Sequence, residues 1–214
     1  MILAQGIIWK MAGSRSADDN SRDVPAPSRS DISDEQLADR MRTRGDTSAY
    51  GVLIERYRVR LMALSRRMLG SSQDEAEDVV QDALVSAFHK RATYRPGDPF
   101  RPWLYRIVIN RCVDRLRSRG RHLQPASLEV LPEEPSARGE PLTQILSDER
   151  ERRLEAAVAE MPTKYRTVFL LRHLDDLSYE DIARAAELPV GTVKTHLFRA
   201  RAHLRQALEG YLEP

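Results

Sequence analysis

The sequence predicts an all-α protein built from two small helical domains joined by a flexible linker. Three observations carry that prediction. Apolar residues recur at helical spacing along one segment after another. No alternating apolar–polar run bounded by turn residues occurs, so no strand is expected. Between residues 122 and 146 the period is lost, and Pro125, Pro132, Pro135 and Pro141 stand among several glutamates.

Each element follows from local signals. Residues 1–32 are expected to be a disordered tail, because "AGSRSADDNSRDVPAPSRSDI" offers almost nothing to bury. The first domain is assigned to residues 33–121. "SDEQLADRMRTRG" opens on an N-cap serine with a nearby Glu and closes on Gly45, which reads as a short helix. In "DTSAYGVLIERYRVRLMALSRRMLG" the buried face is Leu53, Tyr57, Leu61, Leu64 and Met68, and Gly70 is the stop. "SQDEAEDVVQDALVSAFHKRA" carries one apolar stripe of Ala76, Val79, Val80, Ala83, Leu84, Ala87 and Phe88 before "YRPGDP" breaks the chain. In "FRPWLYRIVINRCVDRLRSRGR" the expected inner side is Trp103, Leu104, Ile107, Val108, Cys112 and Leu116.

Residues 122–146 are the linker, and residues 147–214 the second domain. There "SDERERRLEAAVAEM" is a helix ended by Pro162, and "PTKYRTVFLLRHLDD" is a second with that proline in its first turn. "LSYEDIARAAELPVGTVKTHLFRARAHL" has the form of a helix-turn-helix. Ser178 is its cap with Asp181 three residues on, and Ile182, Ala183 and Ala186 are its first inner face. Glu187 takes the turn position where the backbone goes left-handed and Gly is usual. The second helix turns Val193, Leu197, Ala200 and Leu204 inward.

Composition bounds the function. In 214 residues, 41% are hydrophobic and 31% charged, yet the net charge is only +2, so local charge matters more than the total. The lone cysteine, Cys112, excludes an internal disulfide and a thiolate metal cage and points to a reducing compartment. No apolar run reaches the ~20 residues that span a bilayer, so no membrane insertion is expected. The opening "MILAQGIIWKM" lacks the charged start and the cleavage site of a signal peptide, and Met11 is a second candidate start. A cytoplasmic location follows, with no metal and no other cofactor.

Three segments carry the functional signal. A helix-turn-helix presents the first residues of its second helix to base edges in the major groove. Here that places Thr192, Lys194, Thr195, His196, Arg199 and Arg201 outward or sideways, residue types that suit guanine, phosphate and the thymine methyl. The arginine-rich helix holds Arg101, Arg106, Arg111, Arg115, Arg117, Arg119 and Arg121 against one internal acid, Asp114. Trp103 and Tyr105 lie among them. Arginines that follow a backbone beside stacking aromatics hold single strands, although Trp103 reads equally well as a core residue. The third segment is acidic, with Asp74, Asp78 and Asp82 at i, i+4 and i+8, and reads better as a docking face for a basic partner than as a metal site. The five histidines are scattered, and no nucleophile stands with a matched base. A lone dimeric regulator and a carboxylate nuclease are the rival readings. The first lacks a spare apolar helix for a dimer interface.

In this order the segments resemble a bacterial RNA polymerase sigma factor of the extracytoplasmic-function group of the sigma-70 family. "DEAEDVVQDALVSAFHK" is similar to that family's region 2.2. "FRPWLYRIVINRCVDRLRSRGR" is similar to regions 2.3–2.4, and "MPTKYRTVFLLRHLDDLSYEDIARAAELPVGTVKTHLFRARAHLRQAL" to regions 4.1–4.2. The likeness runs over residues 33–210 apart from the linker. It implies sigma domain 2 followed by sigma domain 4, and a transcription initiation factor that is not itself an enzyme. It implies core RNA polymerase as a partner, through the β′ coiled coil and the β flap, together with promoter DNA and an anti-sigma protein. By position, Asp78, Val79, Gln81 and Asp82 would meet the β′ coiled coil. Trp103, Asn110, Arg111 and Asp114, beside Arg101, Arg106 and Arg115, would melt and read the −10 element. Lys194, Thr195, His196, Phe198 and Arg199, with Thr192 and Arg201, would read the −35 element.

Overall fold

The first helix begins where two short side chains settle the backbone. In the computed structural model, which describes residues 32–122 and 153–208, α1 is Asp34–Arg44. Ser33 Oγ accepts from the Gln36 N–H at 3.2 Å, and Gln36 Oε1 accepts from the Ser33 N–H at 3.1 Å. This is a reciprocal capping box. Its second member is Gln36 and not the neighbouring Glu35, whose carboxylate instead faces the Phe100 N–H at 3.5 Å. Gly45 ends α1 at φ 61. Asp46 then caps α2, Thr47–Leu69, by accepting from the Ala49 N–H at 3.0 Å, and Gly70 stops it at φ 56. Both glycines occupy the left-handed region, where a Cβ is costly.

α3 is Gln73–His89, a short 3₁₀ turn follows at Arg91–Thr93, and α4 is Phe100–His122. Helical residues 153–160 form α5, followed by α6 (Thr163–His173), α7 (Tyr179–Ala186) and α8 (Val190–Ala207). Pro162 stands just before α6 rather than within its first turn. The architecture is all-α, and the described residues contain no strand. The expected tail, the expected linker and the start of the second domain at 147–152 lie outside the described residues.

The stripes read from spacing are the faces that pack. Leu53, Leu61, Leu64 and Met68 of α2 are fully buried, with Val80, Ala83, Leu84 and Ala87 of α3 and Leu104, Val108 and Cys112 of α4 around them. Each such aliphatic side chain stabilises the fold by about 1.5–3 kcal/mol relative to exposure. Polar ties cross the same seams. The Tyr50 O–H donates to the Leu84 carbonyl at 2.6 Å. Arg56 pairs with Asp34 at 2.6 Å, and Tyr57 donates to the same carboxylate.

α4 is buried on more than its predicted side. Phe100, Tyr105 and Ile109 join the core, because α4 packs against α3 and α2 on one side and against α7 on another. α7 answers with Ile182 and Ala185 as its buried residues, whereas Ala183 and Ala186 are only half-buried. The two units, expected to be held only by a tether, therefore share one continuous apolar core that runs from Leu37 to Leu197.

Candidate nucleic-acid interface

The helix-turn-helix is set by local chemistry. Ser178 Oγ accepts from the Asp181 N–H at 3.0 Å and starts α7. Removing that bond by Ser178→Ala is expected to cost about 1 kcal/mol, read as a lowered Tm in thermal unfolding. Glu187 ends α7 at φ 55, the left-handed position expected of it. The Leu188 N–H reaches back to the Ala183 carbonyl at 3.0 Å and closes the turn. Glu187→Gly is expected to be more stable than Glu187→Ala by about 1 kcal/mol. Both variants lack the carboxylate, so the difference in Tm isolates the backbone term.

Pro189 then leads into α8, held inward by Val193, Leu197 and Ala200. Leu204, expected inward, is half-buried. On the other side Lys194, Thr195, Phe198, Arg199 and Arg201 are exposed, and Thr192 and His196 are half-buried. Phe198 is 69% exposed among these cations. The Thr195 hydroxyl donates to the Gly191 carbonyl at 3.0 Å. His196 leans edge-on against Tyr165, with ring centroids 5.3 Å apart. Burial, with Lys164 nearby, holds its imidazole below the usual range. His196 is therefore neutral at pH 7, and the positive charge of this face comes from Lys194, Arg199 and Arg201.

α4 is less basic than its sequence. Arg115 and Arg119 both pair with Glu75 of α3, the first at 2.8 Å. Arg106 pairs with Glu187 at 3.2 Å, Arg101 with Asp175 at 3.2 Å, and Arg117 with Asp114 at 3.7 Å. Arg111 makes no ion pair with a described residue. The neutralising acids come mostly from other helices, which inspection of α4 alone could not reveal. Asn110, Arg111, Asp114 and Arg115 form one exposed face, while Arg101 and Arg106 are half-buried under the second unit. Trp103 is 7% exposed. It packs against Tyr94 and Phe100 and donates its indole N–H to Thr93 Oγ1 at 3.2 Å, so its core reading is the one realised in this conformation.

On α3, Asp74, Asp78 and Asp82 are all exposed and make no ion pair among the described residues. Carboxylates at i, i+4 repel by about 0.2–0.5 kcal/mol, and no cation among the described residues offsets it. Gln81 is half-buried beside them, and Val79 points into the core at 6% exposure. No group of three or more metal-ligating side chains exists among the described residues. None of the described helices is long and apolar enough to cross a membrane.

Residues 53–122 match the family model for sigma-70 region 2, and residues 151–204 that for sigma-70 region 4. RNA polymerase sigma-H factor of Pseudomonas aeruginosa is 35% identical over 188 residues, covering 84% of this chain and 95% of that protein. The extracytoplasmic-function sigma-E factor of Escherichia coli K12 is 31% identical over 190 residues, 86% of this chain and 96% of its own. The chain belongs to the sigma-70 family, in its extracytoplasmic-function group. It is accordingly a promoter-specific transcription initiation factor, in a family not known for enzymes.

Two solved structures share this sigma factor's architecture. CnrH, solved with the cytosolic domain of CnrY, matches at TM-score 0.62 and 27% identity, over 83% of this chain and 97% of that one. The sigma factor RpoE of Bartonella quintana, solved with the anti-sigma factor NepR, matches at TM-score 0.58 and 27% identity, over 73% and 94%. Within this sigma factor, α2–α4 fall in region 2 and α5–α8 in region 4, so the acidic helix and the arginine helix share one unit and the helix-turn-helix is the other. Two residues that spacing did not single out hold the units together. Asp175 and Arg166 are charged yet buried. Burial of a charge leaves no periodic mark in a sequence.

Proposed function

We propose that this sigma factor binds core RNA polymerase and brings it to promoters by reading two elements with two helices. α8 reads the −35 element through Lys194, Thr195, Phe198 and Arg199, flanked by Thr192, His196 and Arg201. α4 reads and melts the −10 element through Asn110, Arg111, Asp114 and Arg115, joined by Arg101 and Arg106 once the second unit moves away and by Trp103 once it leaves its packing against Tyr94 and Phe100. Asp78 and Asp82, with Gln81 and with Val79 fixing the helix behind them, dock on the β′ coiled coil, and the second unit meets the β flap. The domains doing this are residues 33–121 and 147–214, with 1–32 as tail and 122–146 as linker. An anti-sigma protein is a further partner, as NepR is for the Bartonella quintana sigma factor.

One observation carries the reading. α8 buries Val193, Leu197 and Ala200 and leaves Lys194, Thr195, Arg199 and Arg201 exposed on the opposite face. A solvated helix needs no exposed phenylalanine among its cations, whereas a groove-reading helix uses one against a thymine methyl. The internal pairing of α4 explains why free DNA should be bound weakly, since only uncompensated cations release counterions from DNA. Polymerase would fix the spacing of two weak readers and let them act together.

The test is run-off transcription with sigma-free core polymerase and fragmented genomic DNA. Discrete transcripts that need both proteins are expected, and their start points locate both elements. A shift of duplex DNA by the protein alone, with no transcripts, would replace this reading by that of a lone regulator.

A further inference from the structure

The first turn of α3 forgoes a cap and reaches across to α4. Ser72, the N-cap of α3, makes no side-chain cap bond. Glu75 stands three residues on, where a carboxylate ordinarily closes a capping box. Its carboxylate is held by two arginines of α4 instead. Arg115 donates from Nε to Oε1 at 2.8 Å, and Arg119 donates from Nε to the same oxygen at 3.0 Å. Arg119 also pairs with Oε2 and donates to the Leu69 carbonyl at 2.9 Å. The Glu75 side chain is 15% exposed and that of Arg115 50%.

These arginines continue a line. Arg111, Arg115 and Arg119 recur every four residues, so each stands about 6 Å further along one side of α4. Arg111 is exposed and makes no ion pair with a described residue. The line is therefore open at Arg111 and closed from Arg115 onward. Cations at i, i+4 repel by about 0.2–0.5 kcal/mol, and an anion between them offsets that. A phosphate would make the same charge-assisted bonds to a guanidinium as a carboxylate does. The neighbouring acids do not reach this line. Asp74 is exposed and makes no ion pair with a described residue, and Glu77 turns to α2, where it pairs with Arg58 at 3.2 Å.

We propose that Arg115 and Arg119 form a subsite for a backbone phosphate of a single strand, and that Glu75 fills it when no strand is bound. Glu75 thereby sets selectivity. A strand that enters must displace a carboxylate already in place, so an arbitrary sequence gains little from the far part of the line. Discrimination is left to Asn110, Arg111 and Asp114. This rests on the reading of α4 given under the proposed function.

The test measures binding of the full chain to a fluorescent oligothymidylate over a range of salt, by anisotropy and without polymerase. Glu75→Gln keeps the shape and removes the charge. It is expected to bind several-fold more tightly than wild type. The slope of log affinity against log salt should steepen by about 0.7 for each arginine released to a phosphate. Adding Arg115→Gln to that variant should abolish most of the gain. Glu77→Gln makes the same change in net charge and frees an arginine of α2, so it should bind as wild type does. A second comparison leaves Glu75 in place. Arg115→Gln alone should lower the slope less than Arg111→Gln, because a paired cation releases fewer counterions. Thermal unfolding of each variant checks the fold. If Glu75→Gln binds no better than wild type or Glu77→Gln, or if Arg115→Gln and Arg111→Gln lose equally, the subsite is not held by Glu75 and the proposal falls while the reading of α4 stands. If Arg111→Gln also binds the strand as wild type does, the reading of α4 falls with it.

Discussion

Arg199→Ala is expected to weaken use of the −35 element about 5- to 150-fold while leaving affinity for core polymerase unchanged. The side chain is exposed on the outward face of α8 and makes no ion pair among the described residues, so its removal takes nothing from the fold. A cationic fork on a guanine edge contributes about 1–3 kcal/mol of discrimination, which sets the range. The loss should be specific to sequence. Run-off transcription from a promoter with its −35 element intact should fall, and transcription from one with that element scrambled should hardly change. Lys194→Ala offers the contrast. If Lys194 meets phosphate, its loss weakens binding to every sequence alike and lowers the salt dependence by about one counterion. Equal loss of core affinity in Arg199→Ala would remove its assigned role.

Asp82→Arg is expected to abolish core binding with the fold intact. Asp82 is exposed on α3, one turn beyond Asp78, and spends its charge on no described neighbour. Reversal therefore removes a local repulsion, and the stability read from thermal unfolding should move by no more than an exposed substitution does, about 0.5 kcal/mol. At a charged interface the same change loses an attraction and adds a repulsion. Losing one partner of a buried charge pair alone costs about 2–5 kcal/mol, roughly 30-fold or more in affinity. Titration of labelled protein with core polymerase, beside thermal unfolding, separates the two effects. Unchanged affinity would show that the acidic stripe serves something other than docking.

Much of this was legible in the sequence, and the legible part shares one cause. Caps, stops and stripes act between residues three to seven positions apart, where covalent geometry places the partners. Ser33, Ser178, Gly45, Gly70 and Glu187 could be assigned their positions because each answers to its own turn. The inner faces of α2 and α3 followed from period, as did the outward face of α8. Motif order points to the family that the region 2 and region 4 matches show. Where a side chain's neighbours are remote, spacing misjudged it. Spacing assigns Ala183 and Ala186 to the inner face of α7, but α7 is pressed on α4 and buries Ala185. The arginines of α4 read as an open cationic face until Glu75, Asp175 and Glu187 arrived from other helices.

The sequence by itself thus determined the helices, their ends, the helix-turn-helix and the residue types available to DNA. Only the tertiary structure decided which cations are free and which are spent, that Trp103 is packed in the core, and that the two units close on each other through Asp175. The physical reason is separation. Tyr105 and Asp175 are 70 residues apart along the chain and 2.8 Å apart in space. No local period encodes a hydrogen bond of that span. It exists only when packing elsewhere has paid the entropy of bringing the two ends together.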